Sequence, residues 1–216
     1  MQHRNLGEGQ PRITATLRNE PVQARSTARL TRLLDAAAEV IDEIGYERLT
    51  TAMVAERAGA SIGTVYRYFP DRIAILTSLS ARTADEYIDA VSRELRGAGH
   101  ATWWDAVSAS IDLTARSFAT KKGFRSLRFG DVIDLRPAES ETTNNAVIAA
   151  AMAQALSERF ALTSDALALH LEVAVEIVDA LLARAFAIDP KGDRRFIDGA
   201  KSIARSYLVG KLGEPV

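Results

Sequence analysis

"TAMVAERAGASIGTVYRYFP", residues 51–70, decides the fold. Thr50 and Thr51 can open a short alanine-rich helix that runs to about Ala58, because a threonine hydroxyl accepts from backbone N–H groups that a helix start leaves unpaired. Gly59, Ala60 and Ser61 interrupt it, and a glycine takes a positive φ at little cost. Ser61 can cap a second short helix, which ends near Tyr68 because Pro70 forces a break. Two helices that cross steeply need small residues where they meet. Ala55, Gly59 and Val65 stand at the spacing of such a crossing, and Val54, Ala58, Ala60 and Tyr68 supply further buried positions. The pattern predicts a helix-turn-helix. Neither helix is long enough to stand alone, so the flanking chain must complete its core.

Upstream, Leu30, Leu34, Ala37, Ile41 and Ile44 recur at steps of three and four, which predicts a helix starting at a Ser26 cap and stopping at Gly45. Residues 1–24, with Gly7, Gly9, Pro11 and Pro21, show no helical face and read as an arm. Residues 1–34 hold Arg4, Arg12, Arg18, Arg25, Arg29 and Arg32 against Glu8 and Glu20, a local charge of six minus two, or +4. Such a basic arm is either a solvated tail or a segment that follows a phosphate backbone.

Downstream, Asp71 can cap a long helix over 71–96 with Ile73, Leu76, Tyr87, Val91 and Leu95 on its buried side. Further helices are expected over 102–120, with Trp104, Val107, Ile111, Thr114 and Phe118 on one face, over 140–160, from Ser164 to Ile188, and over 193–212; residues 122–135 read as a turn or short helix. No segment alternates as a strand does. The expectation is an all-α protein of about nine helices. It divides into an arm (1–24), a three-helix unit (25–70) and a larger helical unit (71–216) that begins with the long helix.

Composition narrows the chemistry. The 216 residues carry 27 basic and 28 acidic side chains, a net charge of −1, so a uniformly basic coat is excluded while a local basic surface is not. The chain has no cysteine, which removes disulfides, thiol nucleophiles and cysteine-held metals. His3, His100 and His170 have no metal-ligand spacing, and neither metal nor cofactor is expected. A P-loop, a dinucleotide glycine fingerprint, a His-Glu metal motif and a Gly-x-Ser-x-Gly elbow are all missing, which argues against an enzyme. No apolar run reaches the length of a membrane span and the N-terminus has no hydrophobic signal core; a soluble, cytoplasmic protein with no membrane partner is expected.

Residues 29–76, RLTRLLDAAAEVIDEIGYERLTTAMVAERAGASIGTVYRYFPDRIAIL, closely resemble the DNA-binding domain of the tetracycline-repressor-like (TetR) family of transcriptional regulators. The matching features are the alanine-rich first helix, the Gly45-Tyr46 turn, Thr50-Thr51, the Ala58-Gly59 turn and Gly63-Thr64-Val65-Tyr66-x-Tyr68-Phe69. One departure is Arg72, where the family usually carries lysine; the charge is kept and the donor becomes a fork. The resemblance implies double-stranded DNA as a partner, with Ser61 to Tyr68 as the recognition helix. Ser61 and Ile62 begin its DNA-facing set. Gly63 lets the backbone approach the duplex, Thr64 and Arg67 reach base edges or phosphate, and Thr51, Tyr66 and Arg72 hold phosphates. Tyr68 and Phe69 are expected to face inward.

The same resemblance implies a homodimer on a near-palindromic operator, with a four-helix interface built from Val175, Val178 and Leu182 and from Phe196, Ala200, Ile203 and Tyr207. It also implies a pocket for a small, largely apolar or aromatic effector, drawn from Trp103, Trp104, Phe118, Phe124, Phe129, Met152 and His170. Aromatic residues at helical spacing also serve simply as core, and His170 also reads as an ordinary hydrogen-bonded histidine. The expected function is a repressor released from its operator by that effector. An activator, an effector-independent regulator and a helical interaction module without a DNA role remain as alternatives.

Overall fold

The computed structural model describes residues 19–125 and 143–215. Among these there are eight α-helices and no strand: α1 Asn19–Ile44, α2 Thr51–Arg57, α3 Ile62–Tyr68, α4 Arg72–Arg96, α5 Trp103–Thr120, α6 Asn144–Phe160, α7 Leu167–Ile188 and α8 Arg194–Leu212, with one 3₁₀ turn at Tyr46–Arg48. The segment expected as a turn or short helix over 122–135 is described only to Arg125, as a turn. Phe129 lies outside the described residues.

Side-chain caps explain why most boundaries fall where the sequence places them. Thr50, Ser61, Asp71, Thr102, Thr143 and Asp193 each accept a hydrogen bond from a backbone N–H in the first turn that follows, and Thr102 forms a reciprocal capping box with Asp105. Three starts differ from expectation; one is that of α6, expected from about residue 140 and found at Asn144 behind the Thr143 cap. The first helix begins at Asn19, so Ser26 is not its cap but an interior residue whose hydroxyl lies 3.2 Å from that of Tyr68. Pro21 falls in the first turn, where its missing N–H has no partner to lose. The seventh helix begins at Leu167, not at Ser164; its N-cap residue is Ala166, which offers no side-chain oxygen.

Two apolar cores result. The smaller joins α1 (Leu33, Leu34, Ala37, Ile41), Val54, Ala55, Val65 and Phe69 to the first turns of α4. It therefore reaches past residue 70, to Ile75, Leu76 and Leu79. Ile73, expected on the buried side, is 52% exposed; once α4 docks on α1 through Ile75 and Leu79, position 73 points away. The larger core runs from Tyr87, Val91 and Leu95 of α4 through α5, α6, α7 and α8. In α5 the fully buried indole is that of Trp103, while Trp104 is half-buried and meets it edge-on at 6.1 Å.

Charged contacts fasten the small unit. The Arg57 guanidinium donates to both oxygens of Glu43, at 2.9 and 2.7 Å, and to Glu39 at 3.3 Å, tying α2 to α1. Hydrogen bonds from Lys122 and then Arg57 hold the Glu39 carboxyl below the usual range, and one from Arg57 does the same for Glu43. Lys122 Nζ lies 3.3 Å from Glu39 and the Gly123 N–H donates to Asp42 at 3.3 Å, so the turn after α5 is fastened to α1 as well.

The α7–α8 turn contains a glycine whose position disfavours any side chain. Gly192 has φ +87°, and a Cβ there would lie 2.8 Å from the Phe186 ring and 2.9 Å from Ile197 Cδ1. Gly192→Ala is expected to lower stability by about 2–4 kcal/mol, from the left-handed backbone together with overpacking. Urea denaturation should show a lower midpoint at unchanged slope.

Candidate nucleic-acid interface and effector cavity

The α2–turn–α3 unit presents one polar, unfilled face. Val65 and Phe69 point into the small core. Tyr68 is half-buried, linked to Ser26 and stacked under the Arg67 guanidinium at 5.6 Å. On the other side Tyr66 is 53% exposed, and its hydroxyl accepts from Thr51 Oγ1 at 3.3 Å. Thr50, not Thr51, caps α2. The Thr51 hydroxyl is thereby left to pair with Tyr66 at the helix start, where exposed N–H groups favour an anion. Ser61 is engaged as the α3 cap, accepting from the Thr64 N–H at 3.1 Å, and its hydroxyl also meets that of Thr64 at 2.9 Å.

Gly63 carries the clearest signal. The nearest atom to a Cβ placed there is Ser61 Oγ at 4.0 Å, so no internal contact demands a glycine. In a helix glycine costs about 1 kcal/mol relative to alanine, and its presence on an exposed face fits a surface that must lie close to something else. Gly59 differs: it has φ +60° and makes the turn itself. Ile62 and Arg67 share the exposed side of α3. Arg72 donates to the Glu47 carbonyl at 2.6 Å, which holds its guanidinium beside the loop that leads into α2.

Within the larger unit, α4, α5, α6, α7 and α8 enclose a cavity. The empty space between its walls is about 580 Å³, while only about 40 Å³ can be reached by the centre of a water molecule. Of the residues expected to form a pocket, Phe118, Phe124 and Met152 line it, whereas Trp103, Trp104 and His170 do not. Trp103 belongs to the core, and His170 Nδ1 lies 3.3 Å from the Tyr207 hydroxyl at the α7–α8 seam.

The polar members of the wall were not anticipated from the sequence: Tyr87, Ser110, Thr114, Asn145 and Asp179. Ser110 and Thr114 have a sequence signature, being hydroxyls one turn apart on the otherwise apolar face of α5. Each donates to a carbonyl of its own helix, Ser110 to Val107 at 2.7 Å and Thr114 to Ser110 at 2.8 Å. The Tyr87 hydroxyl lies 2.8 Å from Thr114 Oγ1, whose proton is already directed elsewhere, so Tyr87 donates. Burial first, and then the charge of Asp179, push the Tyr87 hydroxyl up to about 12, which keeps it a phenol.

The expected dimer residues divide. Leu182 and Ala200 are fully buried within the chain and Val178 is buried in the cavity wall, so these three are not surface residues of one chain; Val175 also lines the cavity but is half-buried. A breadth of apolar circumference on α7 suggested two neighbours, and its own α6 and α8 take most of it. What stays outside is Leu169 (58% exposed) and Ile203 (50%), with Val173, Ile177, Phe196 and Tyr207 half-buried. Gly199 and Gly210 share the Ile203 face of α8, and nothing lies within 4 Å of a Cβ placed on either.

Comparison with known proteins agrees with this geometry. Residues 33–79 match the profile of bacterial regulatory proteins of the tetR family. Residues 101–212 match that of the tetracyclin repressor-like C-terminal domain. The chain belongs to the TetR family. The transcriptional repressor KstR of Rhodococcus jostii is 44% identical over 54 residues, 25% of this chain and 26% of KstR, so the matched stretch spans only about a quarter of that relative. A TetR-family regulator from Streptomyces coelicolor is 32% identical, with a TM-score of 0.70 over 85% of this chain and 99% of its own. FadR of Bacillus subtilis, solved with stearoyl-CoA, shares the fold at 20% identity and a TM-score of 0.62, over 83% and 98% of the two chains.

Gly63→Ala separates folding from recognition. Thermal unfolding should be unchanged or raised, by up to about 1 kcal/mol of stability, while DNA affinity in a filter-binding assay falls. Tyr66→Phe should weaken all DNA sequences alike, as the loss of a phosphate contact does.

Proposed function

We propose that the protein is a homodimeric repressor that binds a near-palindromic operator through paired α3 helices and is released from it by a small, largely apolar molecule in the α4–α8 cavity. The observation that carries the DNA-binding part is Gly63, an internally unneeded glycine on an exposed face bordered by Tyr66, Thr64 and Arg67. A DNA-binding role places the protein in the cytoplasm. In a dimer the two reading helices would sit about 34–36 Å apart, one turn of the duplex.

The exposed α7–α8 face supports the dimer. Leu169 and Ile203 are large apolar groups in water, and two glycines leave α8 open to close approach. Paired with its symmetry mate, this face closes a four-helix bundle.

The turn after α5 supports a route from cavity to DNA. Phe124 lies in the cavity wall against Phe118 and Tyr87, with ring centres 5.3 and 5.7 Å apart. The preceding Gly123 sits on Ala38 of α1, where a Cβ would come within 3.4 Å of the Ala38 carbonyl. A ligand that widens the cavity presses on Phe124, and the displacement reaches α1 through Gly123, Lys122 and Asp42. The α4 helix, which lies in both cores, is the second route. A coupling of about 1–3 kcal/mol is enough for such a switch.

The direct test is binding to DNA from immediately upstream of the protein's own gene, at two salt concentrations with competitor. Tight, competitor-resistant binding is expected; binding that collapses with salt at every sequence would remove the operator reading. Ile203→Glu should give a monomer by sedimentation and lose operator affinity. Lys122→Ala combined with Asp42→Ala should leave operator affinity near wild type and blunt its loss on effector binding, measured by titrating effector into the protein–DNA complex.

A further inference from the structure

Ile62 is the first residue of α3, 43% exposed and part of neither core. Side chains on a helix advance by about a hundred degrees per residue. Gly63 therefore stands nearly opposite the buried Val65, with Ile62 and Tyr66 along one flank of it and Thr64 and Arg67 along the other. A single apolar group in water is ordinary on a protein surface. Ile62 differs in its neighbour: no atom lies closer than 4.0 Å to a Cβ placed on Gly63, so the middle of this face is bare backbone, free to come up against a partner. A side chain beside that bare stretch is the one pressed deepest into whatever α3 meets.

The polar groups around Ile62 are engaged within the unit. The Thr64 hydroxyl lies 2.9 Å from that of Ser61, which also accepts from the Thr64 N–H. The Tyr66 hydroxyl accepts from Thr51 at 3.3 Å, and the Arg67 guanidinium lies over the Tyr68 ring at 5.6 Å. Ile62 has neither donor nor acceptor. In the major groove every base pair shows hydrogen-bonding groups, and only thymine adds a methyl group. An aliphatic side chain pressed on a base amino group or carbonyl strips water from it and offers no bond in return. Against the C5 methyl of thymine it removes two apolar surfaces from water at once.

Resting on the DNA-binding reading above, we propose that Ile62 is a specificity residue of α3: it reads the C5 methyl group of a thymine in each operator half-site, where Gly63 lets the helix approach the floor of the groove. At that base pair the methyl group, and no hydrogen bond, carries the choice of base.

Deoxyuridine tests this, because it lacks the methyl group of thymine and keeps its hydrogen-bonding groups. A random-sequence duplex pool is carried through rounds of selection by the full chain. Each thymine of the enriched site is then replaced in turn, in both half-sites together. Wild type should lose roughly ten- to twentyfold in affinity at one symmetric pair of thymines, the product of about three- to fivefold in each half-site, which is what one buried methyl contributes. Ile62→Ala should bind the thymine duplex more weakly and show no loss at that pair, while its losses elsewhere match wild type. Ile62→Val, one carbon shorter, should fall between the two. The uracil scan of the wild type changes only the DNA, so its result owes nothing to the stability of a variant. Wild-type affinity that is indifferent to uracil at every position overturns the role of Ile62 and leaves DNA binding standing. A loss that persists unchanged in Ile62→Ala does the same, since another residue or the shape of the duplex would then be sensing the methyl group. A pool in which no sequence is enriched overturns the operator reading and the role of Ile62 together.

Discussion

One helix is built into two cores. The first turns of α4 lie in the small core through Ile75, Leu76 and Leu79, and its last three turns lie in the large one through Tyr87, Val91 and Leu95. Between them, residues 80–86 offer no large apolar side chain. At this waist α4 is fastened to α1 by Arg82, which donates to Asp35 at 2.8 Å. A helix resists bending over such a span unless a proline or an inserted side chain interrupts it. The small unit therefore cannot reorient freely: it follows α4, or α4 slides against one of its cores.

The reading unit was legible in the sequence because its signals are local. A cap, a positive-φ glycine and a proline each act within a few residues, so Thr50, Ser61, Asp71, Gly59 and Pro70 fix the boundaries wherever the unit sits. The start of α1 was missed for the opposite reason. Pro21 is a breaker within a helix and harmless in its first turn, and only the helix start tells which applies. Leu182 and Ala200 were assigned to a partner because periodicity tells that a face is covered and not by what. Trp103 and Trp104 show the same limit: adjacent indoles on one helix diverge by about a hundred degrees, and their depth depends on how the neighbouring helices pack. Asn145 left no trace in any pattern, since only the packed helices show that it is buried in the cavity wall.

The cavity wall is economical in its polarity. A hydroxyl buried in a helix normally bonds back to the preceding turn, and Ser110 and Thr114 of the wall both do so. Such groups leave lone pairs facing inward and withdraw their protons. The wall therefore presents acceptors broadly and donation at few points. On the effector reading, shape selection falls to the aromatic trio of Tyr87, Phe118 and Phe124, and Phe118 is stacked in turn on Phe186, at 5.3 Å, near the α7–α8 turn.

The outward side of α3 has a further consequence. Ile62, Gly63, Tyr66 and Arg67 are exposed, while Val65 and Phe69 hold the helix in place and Ser61 starts it. On the reading proposed here, the letters that address this protein to one stretch of genome are different letters from those that keep it folded. Gene duplication followed by drift at those outward positions can redirect a copy to a new site without passing through an unstable intermediate, and the cavity below can diverge on its own schedule. A seven-residue helix with its anchors on one side and its message on the other is what lets such a lineage diversify.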